Sequence, residues 1–364
     1  MHACLGETAA LACLVMKPVI FGLSGLVLTA DEKRLFRDVE PAGYIVFGRN
    51  VESREQLRKL TDSLRDLHGR NDVAITIDQE GGRVARMAPP VWPKFPAGAA
   101  FDALYDIAPM TAIEAARANG EALALMLGEV GITVNLQPLL DVRVPDTHSA
   151  IGDRALGSEP LRVAALGKAI LNGLTKGGVV GAVKHMPGHG RSTVDSHHDL
   201  PHVSATKEEL EQDLAPFKSL ADAPMGMTAH LVYEAWDADR PATMSPVVIK
   251  DIIRGEIGFD GLLMSDDLDM KALSGDVPTR ARDCVEAGCD VALNCWGRFD
   301  EMVQIAELLP AITDIGRQRL NRAMAGSHIG YNGDRMASLI DKRDQLLALA
   351  DTGAKLTHGA TGAA

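Results

Sequence analysis

The chain has 364 residues, 46% of them hydrophobic and 24% charged, which is typical of a globular protein with room for one large barrel or two ordinary domains. Its net charge is −12 and no basic cluster is evident, which argues against a nucleic acid or an anionic membrane as partner. No apolar run reaches the length of a membrane span, and the five cysteines show no disulfide spacing, so the sequence predicts a reducing, cytoplasmic location.

Residues 1–15 are apolar, but no Lys or Arg precedes the run that ends at Val15. A secretory signal begins with a positively charged segment, so we do not expect one here. We expect either that Met16 is the natural start or that residues 1–15 are a loose N-terminal extension. We divide the remainder into a barrel domain over residues 16–330, a C-terminal helix over 331–350 and a disordered tail over 351–364 that is rich in Gly, Ala and Thr.

Short apolar runs, many of them β-branched, alternate with helical patterns along the chain. Such runs are typical of strands buried on both faces of a parallel sheet. Eight strands are predicted, over residues 19–23, 43–47, 73–77, 132–136, 179–184, 226–231, 261–264 and 291–294. Helices are predicted over residues 31–38, 53–67, 111–129, 161–176, 206–219, 247–253, 282–287, 300–309, 313–325 and 335–350.

Eight strand–helix repeats in roughly 290 residues predict an α/β fold, a single-domain (β/α)8 TIM barrel with extra C-terminal helices. A doubly wound open sheet is the alternative. The turn after the first strand lacks the Gly-x-Gly-x-x-Gly pattern that a dinucleotide-binding sheet would show, which favours the barrel.

Charged residues cluster where the predicted strands end. Solvation alone would accept Ser, Thr or Asn at these positions equally well. Because the C-terminal ends of barrel strands surround one opening, we expect these side chains to converge on an active site. They follow the third to seventh strands: Asp78, Asp141, Lys184 with His185, His230, and Asp266.

Asp266 is the candidate nucleophile. It directly follows the apolar run 262–264, so the end of a rigid strand would hold it. A carboxylate in that position can attack an anomeric carbon, as in retaining glycosidases. On the residues alone Asp266 could equally be a helix N-cap, a role for which Ser265 and Asp267 compete.

A histidine-rich loop follows the fifth strand. Asp195 and His197 lie two positions apart, close enough in an irregular loop for the carboxylate to hold the imidazole in one tautomer, as a general acid–base histidine requires. The alternative is a polar surface loop without a role. Its histidines match no helical or Cys/His ligand spacing, so no metal is predicted; they are His185, His189, His197, His198 and His202.

The segment from Lys184 to Pro201, K-H-M-P-G-H-G-R-S-T-V-D-S-H-H-D-L-P, resembles without a gap the signature of the family 3 glycoside hydrolases. Within that family it is most similar to the bacterial β-N-acetylglucosaminidase branch. The segment S-D-D-L-D-M, from Ser265 to Met270, resembles the nucleophile motif of this branch. The chain is too short after the barrel for the second, sandwich-type domain of many family members, which agrees with the one-domain branch.

The resemblance implies Asp266 as nucleophile and His197 as general acid and base, with Asp195 orienting it. It implies that five residues bind N-acetylglucosamine: Asp78, Arg86, Arg154, Lys184 and His185. His230, at the end of the sixth strand, is expected to line the site as well. Arg83 and Glu80 are expected to form a buried ion pair that supports the loop after the third strand.

The activity implied is retaining hydrolysis of terminal, non-reducing β-linked N-acetylglucosamine. The substrate implied is N-acetylglucosaminyl-1,6-anhydro-N-acetylmuramic acid, with or without its peptide, in cytoplasmic peptidoglycan recycling by a monomer without a cofactor. A phosphorylase or a β-glucosidase on the same scaffold is the close alternative, since a neutral histidine does not repel phosphate. An inactive sugar-binding barrel and a metal-dependent hydrolase are more distant alternatives.

Overall fold

The computed structural model describes residues 16–194, 199–328 and 330–360. At its centre is a closed barrel of parallel strands in which spatial neighbours are consecutive in the chain, and the last strand closes on the first with Val19 opposite Ala292. The strands are β1 (Lys17–Gly22), β2 (Pro41–Val46), β3 (Ala74–Ile77), β4 (Val134–Asn135), β5 (Val180–Met186), β6 (Met225–Thr228), β7 (Leu262–Asp267) and β8 (Val291–Asn294). The predicted single-domain (β/α)8 barrel is confirmed.

Side-chain alternation along the strands separates two buried layers. Ile20 packs into the cluster that fills the barrel, whereas its neighbours Val19 and Phe21 pack into the outer cluster between strands and helices. The interior cluster draws apolar residues from the other strands, among them Ile45, Val134, Val180, Met225, Leu262 and Val291. Because both faces of each strand are buried, the strands read as continuous apolar runs in the sequence.

The helices surround the barrel in chain order. They are α1 (Ala30–Val39), α2 (Arg54–His68), α3 (Gly98–Ile107), α4 (Pro109–Glu129), α5 (Pro160–Lys176), α6 (Lys207–Ser219), α7 (Val277–Ala287), α8 (Phe299–Leu308), α9 (Asp314–Met324) and α10 (Gly333–Ala360), with a π-helix at Val248–Glu256 between α6 and α7. Helix α3 was not predicted. Its N-cap residue, Ala97, makes no side-chain cap hydrogen bond, so the sequence carries no capping signal for the start of this helix.

The C-terminal helices α9 and α10 pack against the barrel and its surrounding helices. Leu320 and Met324 of α9 pack into the interior cluster, so this helix covers the N-terminal end of the barrel. Helix α10 docks on α4, where Arg343 Nη1 donates to Asn119 Oδ1 at 3.1 Å. It continues past the predicted end at residue 350, to Ala360. In the described part of the chain, no helix combines the length and apolarity that crossing a bilayer requires.

Candidate active site

A cavity of about 270 Å³ opens among the C-terminal ends of the barrel strands. Strands β5 and β7, the residues following β3, and the loop before α5 supply its charged side chains. Six residues predicted for the site line this cavity: Asp78, Arg86, Arg154, Lys184, His185 and Asp266. They come from distant parts of the chain and meet because parallel strand ends share one face of the barrel.

Lys184 is the centre of a buried charge network at one end of the cavity. Its Nζ donates to Asp78 Oδ1 at 2.9 Å and lies 2.7 Å from Glu80 Oε1. Glu80 accepts two further bonds from Arg154, both 2.8 Å long, and Arg86 Nη2 donates to Asp78 Oδ2 at 3.1 Å. The network presents both charged donors and a carboxylate acceptor to the cavity.

Opposite charges keep Glu80, Asp78 and Lys184 ionised. Burial raises the pKa of Glu80, but Lys184 and Arg154 outweigh burial and bring the pKa to about 2. Burial also raises the pKa of Asp78, and Lys184 and Arg86 bring it below its usual value. Burial lowers the pKa of Lys184, whereas the two carboxylates more than reverse that change. The charges therefore persist at neutral pH.

Asp141 fixes the histidine that ends β5. Its Oδ2 lies 2.7 Å from His185 Nδ1, and its Oδ1 accepts the backbone N–H groups of His185 and His189 at 3.1 and 2.7 Å. A carboxylate only accepts, so the proton of the imidazole sits on Nδ1 and Nε2 remains for other contacts. Burial raises the pKa of Asp141, but the two histidines hold it well below its usual range.

Asp266 lies near the end of β7 on the cavity wall. The backbone N–H of Asp267 donates to its Oδ1 at 2.8 Å, and within the described ranges no protein group donates to Oδ2. Burial raises the pKa of Asp266, but the charges of His185, His230 and Lys184 and the Asp267 hydrogen bond lower it below its usual value. Asp266 is therefore an ionised carboxylate with one oxygen held and one oxygen open.

His230 is not among the residues that line the cavity, and its expected sugar contact stays a prediction. Its side chain is fully buried. His230 Nε2 lies 3.0 Å from the backbone oxygen of Asp267, which fixes the proton on Nε2, and Nδ1 then accepts from Thr243 Oγ1 at 2.8 Å. Thr228 Oγ1 lies 2.7 Å from Thr243 Oγ1, so Thr228, Thr243 and His230 form a hydrogen-bonded relay. His230 therefore supports the backbone beside Asp266.

The expected ion pair between Arg83 and Glu80 is wrong, because each of these residues pairs with other side chains. Glu80 is buried, but it pairs with Lys184 and Arg154. Arg83 instead lies 3.0 Å from Asp153 Oδ1, with both side chains about half exposed, and it lines the cavity. The direction of each side chain follows from the turn after β3, which residue spacing alone does not give.

Among the cavity-lining residues that were not predicted for the site are Asp267, Cys295 and Phe47. Burial and the charge of Asp266 raise the pKa of Asp267 to about 7, against hydrogen bonds from Cys295 and Trp296 that lower it. Asp267 was considered only as a helix cap, and Cys295 and Phe47 were not considered for the site. The positions of Asp267 and Cys295 at the ends of β7 and β8 were the available signal.

Asp195 and His197 lie outside the described residues. The preceding part of their loop is anchored to α6, because Arg191 Nε donates to Asp213 Oδ2 at 2.7 Å. Arg191 Nη2 also donates to the carbonyl oxygen of Glu209 at 2.9 Å. Burial raises the pKa of Asp213 to about 6, although its bond with Arg191 opposes this. Both predicted roles in this loop stay predictions.

Comparison with known proteins identifies the family. The family model described as the glycosyl hydrolase family 3 N terminal domain matches residues 17–325. A beta-hexosaminidase of Alkalilimnicola ehrlichii is 39% identical over 287 residues, which cover 78% of this chain and 81% of that protein. A beta-hexosaminidase of Chromobacterium violaceum is 38% identical over 332 residues, which cover 89% of this chain and 91% of that protein.

A solved structure supports the same conclusion. NagZ from Neisseria gonorrhoeae, in complex with N-trifluoroacetyl-D-glucosamine, superimposes with a TM-score of 0.82 at 32% identity, covering 93% of this chain and 99% of that one. The resemblance and the glycoside hydrolase class predicted from the sequence, of the β-N-acetylhexosaminidase type, are therefore confirmed. With a barrel of the predicted topology and a family match over nearly its whole length, the chain belongs to the family 3 glycoside hydrolases.

Proposed function

We propose that this protein is a retaining exo-β-N-acetylglucosaminidase with Asp266 as its nucleophile. The observation that carries the proposal is the ionised carboxylate of Asp266, which faces the same cavity as Lys184 and Arg154 and has one oxygen held by the Asp267 N–H. Attack on an anomeric carbon requires an anionic oxygen on a rigid support beside a bound sugar.

The terminal sugar is held at the buried end of the cavity. Asp78 accepts from sugar hydroxyls, and Lys184, Arg154 and Arg86 donate to them, while His185 contributes its free ring nitrogen. Lys184 is only 2% exposed and is paired with Asp78 and Glu80, so we expect this network to block a longer chain at that end. This closure supports action on a terminal residue rather than within a chain.

The reaction has two steps with balanced proton transfer. Asp266 attacks the anomeric carbon and forms a glycosyl ester, while the oxygen of the leaving group takes a proton from His197. The now neutral His197 then removes a proton from water, whose oxygen attacks the same carbon and releases Asp266. Two inversions give net retention. Asp195 orients His197 and favours its protonated form in the first step.

The substrate and setting follow from the branch of the family that the loop motif resembles. We propose N-acetylglucosaminyl-1,6-anhydro-N-acetylmuramic acid, with or without peptide, as the substrate, and cytoplasmic peptidoglycan recycling by a monomer as the setting. The relatives named beta-hexosaminidase and the NagZ structure support this branch. Mass spectrometry of muropeptide digests would detect release of N-acetylglucosamine, and light scattering would give the mass of the particle.

The initial rate of aryl β-N-acetylglucosaminide cleavage, measured beside the matching β-glucoside in phosphate-free buffer, tests the proposal. We expect fast release from the N-acetyl substrate only. Faster release from the glucoside would make the protein a β-glucosidase, and release that requires added phosphate would make it a phosphorylase. Inactivity under both conditions, with measurable sugar binding, would leave the inactive sugar-binding barrel.

Variants separate the role of Asp266 from general effects of losing a carboxylate. Asp266→Asn should lower kcat by a factor of at least about 1,000, because the amide is a poor nucleophile. Asp260→Asn is the matched control, since Asp260 is 64% exposed and pairs with Arg319 near the other end of the barrel. Normal turnover by Asp266→Asn would contradict the nucleophile assignment.

A further inference from the structure

Two arginine side chains and two aromatic rings alternate in a column that leads from the cavity toward solvent, in the order Arg86, Phe47, Arg49 and Trp296. The Arg86 guanidinium lies 4.8 Å from the ring centroid of Phe47, and the Arg49 guanidinium lies 5.1 Å from the same centroid. Arg49 also lies 5.9 Å from the ring centroid of Trp296. Arg86 and Phe47 line the cavity, whereas Trp296 is 53% exposed, so the column extends the cavity wall to the surface.

Trp296 is constrained although half of it is exposed. Arg49 is fixed beside it, because Nε donates to the carbonyl oxygen of Leu23 at 2.8 Å and Nη2 donates to that of Cys295. The Trp296 side chain also lies beside the carboxylate of Asp267, whose pKa it lowers. Tryptophan is highly buried on average. A large ring that is held in place and still exposed, next to the cavity-lining Cys295, is a preformed stacking surface.

The position of the nucleophile gives the direction in which the leaving group departs. C1 and C4 lie at opposite ends of a pyranose ring. With C1 above Asp266 and the C4 hydroxyl at the buried network around Lys184, the leaving group departs from the face of C1 opposite Asp266 and extends away from that network. Asp267 adjoins Asp266 at this end of the sugar, and Trp296 lies beside Asp267.

We propose that Trp296 binds the second sugar ring of the substrate, the ring that departs, by stacking against its C–H face. This inference rests on the proposed function and adds a residue that selects the leaving group. The negative face of an aromatic ring attracts the slightly positive C–H groups on one face of a pyranose. Trp296 then favours a saccharide leaving group over a small alkyl group without touching the reacting atoms.

Two substrates with similar leaving oxygens test this role. One is the β-1,4-linked disaccharide of N-acetylglucosamine, and the other is methyl β-N-acetylglucosaminide, which has no second ring. Trp296→Ala should lower kcat/KM for the disaccharide about three- to tenfold, the range expected for one aromatic contact, and change the methyl glycoside less than about twofold. Trp296→Phe, which keeps an aromatic ring but loses the indole N–H, should stay near the native value on both.

Other outcomes overturn the proposal. Equal losses on both substrates would show that Trp296 acts through Asp267 or the fold, and no loss on either would show that it contacts no second ring. If the native protein cleaves neither substrate, the proposed function is wrong, but the stacking role can still be tested by calorimetric binding of the disaccharide. Trp296→Ala must then weaken binding of the disaccharide and leave binding of N-acetylglucosamine unchanged. Any other pattern overturns the stacking role.

Discussion

Glu80→Gln tests whether the buried charge network stabilises the barrel and the site. The carboxylate joins Lys184 and Arg154, and its side chain is 5% exposed. Its environment moves the pKa of Glu80 from 4.5 to about 2. At 1.36 kcal/mol per pKa unit, the ionised form gains about 3 kcal/mol in the fold. Removing one partner of a buried ion pair costs a similar amount, about 3–5 kcal/mol.

The stability difference should depend on pH with a definite sign. The pKa of Glu80 is lower in the folded than in the unfolded protein, so its ionised carboxylate stabilises the fold above the unfolded pKa. That stabilisation is lost as pH falls through the window from 4.5 to about 2. Gln resembles the protonated acid. Native protein and Glu80→Gln should therefore differ by about 3 kcal/mol at neutral pH and converge toward the acid end of this window.

Urea unfolding followed by circular dichroism at neutral and acid pH measures this difference, and kcat/KM should fall in parallel because Lys184 and Arg154 lose their anchor. Asp153→Asn is the matched control: its pair with Arg83 is about half exposed, so its loss should cost less than about 1 kcal/mol. A Glu80→Gln protein as stable as the Asp153→Asn protein, or a difference that does not shrink in acid, would refute the reasoning.

Two further substitutions test residues that hold the site in place. Thr243→Val leaves Nδ1 of His230 without its hydrogen-bond donor, so kcat should fall about five- to tenfold at nearly constant KM. Thr243→Ser keeps the hydroxyl and should keep the rate, so equal kinetics of the two variants would contradict the relay. Gly190→Ala places a Cβ 1.8 Å from the Val142 carbonyl oxygen, whereas Gly25→Ala meets nothing within 4 Å. Only Gly190→Ala should lower the melting temperature, by about 5 °C or more, and a calorimetric scan with equal midpoints would contradict this.

The barrel was predictable because strands buried on both faces are continuous apolar runs. Such a run can be recognised in the local sequence without knowing which strands it pairs with. Strand β8, for example, was placed at its observed bounds, Val291–Asn294. Helix α3 was not predictable in the same way, since Ala97 gives no capping signal and the helix is held by packing. The end of α10 at Ala360 was missed because composition alone suggested a loose tail.

The site was predictable in its location and less so in its contacts. The strand-end rule placed Asp78, Lys184 and Asp266 at one opening, and all three line the cavity. The sequence could not show that His230 is fully buried and bonded to Thr243, thirteen positions later. Nor could spacing show that Glu80 pairs with cations from two other segments.

In the proposed mechanism, Asp266 becomes covalently bound to the sugar. The most direct test is acid quenching during turnover of an activated aryl β-N-acetylglucosaminide, followed by peptide mass spectrometry. We predict that the peptide containing Ser265–Met270 gains the mass of one N-acetylglucosaminyl group and that fragmentation places it on Asp266. An adduct on another residue, or inverted product without an adduct, would contradict the claim.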